Sequence, residues 1–164
     1  MVYHVVESGE RRWLIKAVRE MAGELYQQFA GVDEKGLRYR PFASDWCLKE
    51  LAGHLRDAEH LYQRQIALIA HGRGDPLPFE PIDLLPEERD YRDEPLRRFL
   101  QDYSDMREET VWLLYSLEEE QWSMTGSHPY RGEVSIYDIA RELHEHDLDH
   151  LVQARRLREA VNRR

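Results

Sequence analysis

The sequence contains a single cysteine, Cys47, so it has neither the partner for an internal disulfide nor the second thiolate of a CxxC zinc module. It has no long apolar run either. Hydrophobic residues come in ones and twos between charges, and nothing approaches the ~20 consecutive apolar residues that cross a bilayer as a helix. Basic residues are in deficit, 23 against 32 acidic, for a net charge of −9. Such a balance repels a phosphate backbone, so nucleic acid is not an expected partner. The first residues lack the basic, apolar, small-residue order of a signal peptide. There is no GxSxG elbow, P-loop or dinucleotide glycine motif, and no internal repeat. These absences predict a soluble, cytoplasmic protein without membrane association. Its 164 residues suit one domain over 1–164, large enough to bury a core unaided by disulfides or a structural metal. The basic C-terminal run "RRLREAVNRR" is read as complementing a helix dipole.

What the chain does have is helical periodicity, in four long segments. Residues ~9 to 31 place Trp13, Leu14, Ala17, Val18, Met21, Leu25 and Phe29 at spacings of three and four, with Gly31 as a stop. A second helix, capped by Ser44, runs to about Ala70, where "HGRGDPLP" ends it. A third runs from about Glu94 to Leu117. A fourth starts at the cap candidate Ser135 and reaches about Val161. Roughly twenty residues rich in proline and acids join the second to the third, enough to travel the length of a bundle. "WSMTGSHPYRGEV" reads as an ordered loop before the fourth. The fold class is therefore all-α, a four-helix bundle with a long crossover between helices 2 and 3. Trp13, Tyr26, Trp112, Tyr115, Trp122 and Tyr130 are mostly core candidates, and any that are exposed suit an interface between two copies.

The fourth segment, "IARELHEHDLDHLVQARRLREAV", breaks its own pattern. At roughly 100° per residue, Ile139, Ala140, Leu143, Ala154, Leu157 and Val161 share one face. Asp147 and His150 fall inside that face, and His146 lies at its edge. Unpartnered ionisable groups there cost several kcal/mol, so something must pair with them. His146 and His150 project from successive turns and can chelate one cation. His144 lies about 200° round from His146 and does not join them. A bundle-core metal needs a further ligand from a facing helix. In "LKELAGHLRDAEHLYQRQI", Glu59 falls inside the buried stripe and His54 just beyond its edge. Periodicity leaves His54, Glu59 and His60 all open. Two rival motifs fit less well. HDLDH has the HExxH spacing with aspartate in place of glutamate and no downstream histidine, and the Glu-x-x-His pairs of a di-iron bundle are absent.

"DWCLKELAGHLRDAEHLYQRQI", "GSHPYRGEVSIYDIARELHEHDLDHLVQARRL" and the proline-containing crossover resemble the DinB/YfiT superfamily over nearly the whole chain. The resemblance implies a divalent metal, commonly nickel, zinc or another first-row ion such as iron or manganese, held by His54, His146 and His150. Gln153 and Trp46 stand at the family's glutamine and aromatic positions. Relatives with known reactions imply a thiol S-transferase, passing a low-molecular-weight thiol cosubstrate to a small-molecule electrophile. Hydrolysis, or a non-catalytic dimeric metal-binding or stress module, are the alternatives, and a homodimer is expected. Three imidazoles and a vacancy suit a catalytic metal, which acidifies a bound thiol or water. Asp147 and Glu59 are the catalytic candidates, either one orienting an imidazole or accepting a proton. A buried salt bridge to an arginine on another helix is the competing role for both. Arg131 either meets an anionic substrate or is simply solvated.

Overall fold

Apolar residues at helical spacing form four long helices in the computed structural model, which describes residues 6–72 and 74–164. They are α1 (Ser8–Gln27), α3 (Leu48–Ala70), α5 (Leu96–Ser116) and α6 (Ile136–Asn162). Two four-residue helices lie in the connections, α2 (Glu34–Leu37) and α4 (Leu85–Glu88). α1 and α3 each pack on both α5 and α6, so every long helix has two long neighbours. Leu14, Val18 and Leu25 of α1 and Leu48, Leu51 and Leu55 of α3 are buried. Each such leucine contributes roughly 1.5–3 kcal/mol by leaving water.

The apolar core is divided in two. One part gathers Leu25, Leu51, Leu55, Phe99, Tyr103, Leu157 and their neighbours. The other gathers Leu14, Val18, Ile66, Leu114, Trp122, Ile139 and Leu143. α3, α5 and α6 each also contribute buried charge: Glu59, Arg107 and Asp147.

Several boundaries differ from the sequence expectation. α3 begins at Leu48, not behind Ser44, because Glu50 turns back to accept the backbone N–H of Cys47 at 2.8 Å. That satisfies one of the donors a helix start leaves free. Ser135 does cap α6, accepting from the Asp138 N–H at 3.1 Å. α1 ends at Gln27, and Gly31 takes a positive φ in the turn beyond it. The segment before α6 is not a plain loop. It is a hairpin of β1 (Thr125–His128) and β2 (Gly132–Ser135), antiparallel with His128 opposite Gly132. Of the six aromatic residues expected mostly in the core, Trp122 alone is buried; Trp13, Tyr26, Trp112, Tyr115 and Tyr130 are exposed. On α1 and α5 these rings flank the buried stripe rather than lie in it.

The crossover between α3 and α5 is pinned at both ends. Leu77 N–H donates to Ser127 O of β1 at 2.9 Å, and further on the ring of Tyr91 lies flat against α3 at Gly53. A Cβ on Gly53 would stand 2.7 Å from that ring, so glycine is what lets the crossover come so close. The Tyr91 hydroxyl donates to Asp57 one turn later. Ile82 is buried in the core between these two anchors.

Candidate metal centre

α3 delivers His54 as its second turn closes, directly after Gly53. The helix start is held by Glu50, which also accepts from Arg40 at 3.2 Å. His54 is completely buried. Its Nδ1 donates to the Ile82 carbonyl of the crossover at 3.2 Å, and the ring packs against Trp46 with centroids 4.8 Å apart.

α6 delivers His146 and His150 from successive turns. The Nε2 atoms of both lie 2.9 Å from His54 Nε2. The three imidazoles thus converge on one point from two helices, as a potential ligand set. His150 Nδ1 donates to Gln153 Oε1 at 2.8 Å, and Trp46 stacks over His150 at 6.1 Å and 15°. His146 Nδ1 is buried without a hydrogen-bond partner, 4.0 Å from Asp147 Oδ1. The Tyr62 ring meets the His146 edge at 5.7 Å.

Tautomers decide what this cluster can do. An imidazole whose Nδ1–H is donated keeps a bare lone pair on Nε2. That holds for His54 through Ile82 and for His150 through Gln153, so two lone pairs face each other at 2.9 Å. Protonation does not relieve the contact readily. Burial first, then the neighbouring His150 and His146, pushes His54 down to about 3, and burial likewise lowers His150. Donors ~2.0–2.1 Å from a common ion stand ~2.9–3.4 Å apart, which matches the observed spacing. The residues present therefore fit a divalent transition metal.

The carboxylates expected beside the imidazoles are engaged elsewhere. Arg107 of α5 donates through Nε to Glu59 Oε2, and through Nη1 to Asp147 Oδ2 and the Val18 carbonyl, each at 2.8 Å. Thr110 Oγ1 donates to Glu59 Oε1 at 2.6 Å. All four side chains are buried. Burial, the largest influence, would raise the Asp147 pKa, but the charge and hydrogen bond of Arg107 together with the neighbouring His146 outweigh it and hold the carboxyl below its usual value. Asp147 thus touches both groups, bonded to Arg107 and adjacent to His146. Glu59 is bonded within the ion cluster.

Other sequence candidates fall outside the centre. His60 is exposed on α3, and Asp57 is taken up by Arg56, Arg89 and Tyr91. His144 packs on Trp13 at 5.3 Å. Arg131, on the hairpin turn, pairs with Glu142 of α6 at 2.5 Å. Cys47 is buried, and burial pushes its thiol up to about 11, too high for a nucleophile. The sequence reading missed Ile82, Asp83, Arg107 and Thr110. For Arg107 a signal existed: Leu100, Tyr103, Arg107, Thr110 and Leu114 recur at three and four. Ile82 and Asp83 lie in an aperiodic crossover and offered none.

A sequence model of the DinB superfamily matches residues 2–154. The uncharacterized protein YuaE of Bacillus subtilis (strain 168) is 20% identical over 152 residues, covering 85% of this chain and 94% of YuaE. The structure of YfiT from Bacillus subtilis, described as a probable metal-dependent hydrolase with an unusual four-helix bundle topology, superposes with a TM-score of 0.84. It is 15% identical, over 94% of this chain and 89% of YfiT. At that identity the likeness speaks to fold.

Proposed function

This chain belongs to the DinB superfamily, and from that premise we propose that it holds one divalent transition-metal ion through His54, His146 and His150 and acts as a metal-dependent hydrolase on a small molecule. The observation that carries the reading is the pair of lone pairs on His54 and His150 Nε2, set face to face at 2.9 Å while both Nδ1 atoms are engaged. Imidazole donors suit zinc, nickel or iron better than manganese. Bound there, such an ion would supply a Lewis acid and an acidified water or thiol.

The chain's own residues do the rest. Ile82 and Gln153 fix the aim of two imidazoles, and Trp46 covers them. Asp147 acts as a positioning residue, with Arg107 keeping it ionised beside His146. Glu59 acts one step further back, by holding Arg107. The likeness to YfiT, itself described as a probable metal-dependent hydrolase, favours water as the nucleophile. Thiol transfer is the second reading and rests on the family resemblance. Because Cys47 is buried, the thiol would have to come from a cosubstrate.

We also assign the exposed Tyr26, Trp112 and Tyr115 to an interface with a second copy. They line a cavity of about 720 Å³ between α1 and α5. The cytoplasm is the proposed compartment. No helix among the described residues is long and apolar enough to cross a membrane.

The test is elemental analysis of tag-free protein, followed by turnover of activated esters and amides with and without chelator. One ion per chain and chelator-sensitive hydrolysis are expected. A metal-free wild type that takes up no added ion sinks the reading. Turnover of chlorodinitrobenzene only when a low-molecular-weight thiol is added would move the assignment to S-transfer.

A further inference from the structure

The crossover reaches both nitrogens of His54 with consecutive residues, and the three-histidine reading uses only the first contact. Ile82 takes Nδ1 through its carbonyl. The next side chain, Asp83, places Oδ1 3.7 Å from Nε2. The backbone that aims the imidazole therefore also sets the position of the carboxylate.

Asp83 has no other engagement among the described residues. Its side chain is 80% exposed, and His54 is its one ionic neighbour within 4.0 Å. That neighbour has no proton to offer, because His54 Nδ1–H is spent on Ile82 and Nε2 carries a lone pair. The carboxylate and the imidazole nitrogen are two acceptors turned toward one another, the same relation that holds between His54 and His150. Solvent alone gives an exposed aspartate no reason to stand there. A cation shared between them does. Two donors on one tetrahedral ion stand ~3.4 Å apart, so the 3.7 Å separation requires only a small side-chain rotation, which an exposed side chain can make.

Resting on the three-histidine site, the geometry points to Asp83 as a fourth, carboxylate donor to the same ion, carried by the crossover and not by a bundle helix. Imidazole with carboxylate is a ligand combination that first-row divalent ions accept. Asp83 differs from the histidines in one respect. They are held by packing and hydrogen bonds, whereas Asp83 stands on the solvent side and is free to turn away. It is the donor that an arriving substrate oxygen would displace, which gives the site a closed resting form and an open working form.

The experiment uses the full chain without a tag. Zn²⁺ affinity is measured by competition with a chelator, and the Co²⁺-loaded protein by absorption, for wild type, Asp83→Ala, Asp83→Glu and Asp83→Cys. Asp83→Ala should bind about tenfold or more weakly, by analogy with the loss of groups that support a metal site. Asp83→Glu should recover part of that loss. Asp83→Cys should show a sulfur-to-cobalt charge-transfer band in the near ultraviolet, absent from wild type, because a thiolate at this position would touch the ion. Exposure of the side chain leaves folding unaffected, checked by circular dichroism. Wild type binding one ion, with Asp83→Cys showing no such band, overturns the donor role and leaves the three-histidine site standing. Wild type binding no ion overturns both.

Discussion

Two ionisable clusters interrupt the same apolar bundle, and they differ in whether groups of opposite character meet. Around Arg107, donors and acceptors meet: the guanidinium reaches Glu59, Asp147 and the Val18 carbonyl, and Thr110 completes Glu59. Around His54, acceptors meet acceptors, with the Nε2 atoms of His54 and His150 2.9 Å apart and an aspartate oxygen 3.7 Å away. Both cost the fold desolvation. Only the first recovers it from within the chain, so only the second calls for a ligand. A count of unmatched lone pairs separates a structural network from a binding site where residue type does not.

The comparison breaks most sharply at Arg107. Arg107→Met leaves two buried carboxylates without a counter-charge and should cost ~3–5 kcal/mol in denaturant unfolding. Its remaining folded fraction should still carry metal. An unfolding free energy within experimental error of wild type would show the cluster to be dispensable.

Next in size is the metal itself. At a free concentration 100 times its Kd, a ligand of the native state adds about 2.7 kcal/mol. Added Zn²⁺ should therefore raise the Tm of wild type. His150→Ala should abolish metal uptake and this response while keeping its helicity. An equal Tm rise in both proteins would place the stabilising ion elsewhere.

Acid should separate the clusters in order. His54 is held near 3 when folded, against about 6.5 for a free imidazole. A depressed histidine means the unfolded chain binds the extra proton, so stability of the metal-free protein falls as pH drops below about 6.5. Asp147 is also depressed. It stabilises at neutral pH, and that contribution is lost only as pH falls below the ordinary carboxyl range near 4. Unfolding of chelated protein across this range should slope from the first threshold, and His54→Leu should lessen the upper part alone, with His150, also lowered by burial, supplying the remainder. An unchanged slope in that variant would mean that His54 titrates normally.

The smallest effect expected is at Gly53. Gly53→Ala gains up to ~1 kcal/mol of helix propensity but drives a methyl into Tyr91, at an overpacking cost of ~1–3 kcal/mol. A net loss of about 1 kcal/mol is expected, together with weaker metal binding because the crossover that aims His54 shifts. Metal affinity equal to wild type would show that the two clusters do not differ in their dependence on the crossover.

Much of this was legible beforehand, and the gaps have physical causes. The four long helices follow from a period that survives any tertiary detail, and the long crossover from its length and prolines. The pairing of His146 with His150 follows from their spacing of four. Helix phase could not choose among His54, Glu59 and His60, because an angle round an axis does not report which element lies opposite. His54 faces Ile82 and α6, Glu59 faces Arg107, and His60 faces water. The hairpin was hidden because Thr125–His128 and Gly132–Ser135 are short and largely polar. The exposed rings of Trp112 and Tyr115 were hidden because a helix one stripe wide has edges where an aromatic residue fits either way.

It is a main-chain oxygen that steers His54. Residue 82 could change its identity, within the limits of its apolar niche, and the carbonyl would still be presented. Adding or deleting one residue in the connection would swing that oxygen away while every histidine remained. The aim of this imidazole is thus stored as a path length, and relatives that keep all three histidines but alter the span between Leu77 and Tyr91 would be the ones to suspect of having gone silent.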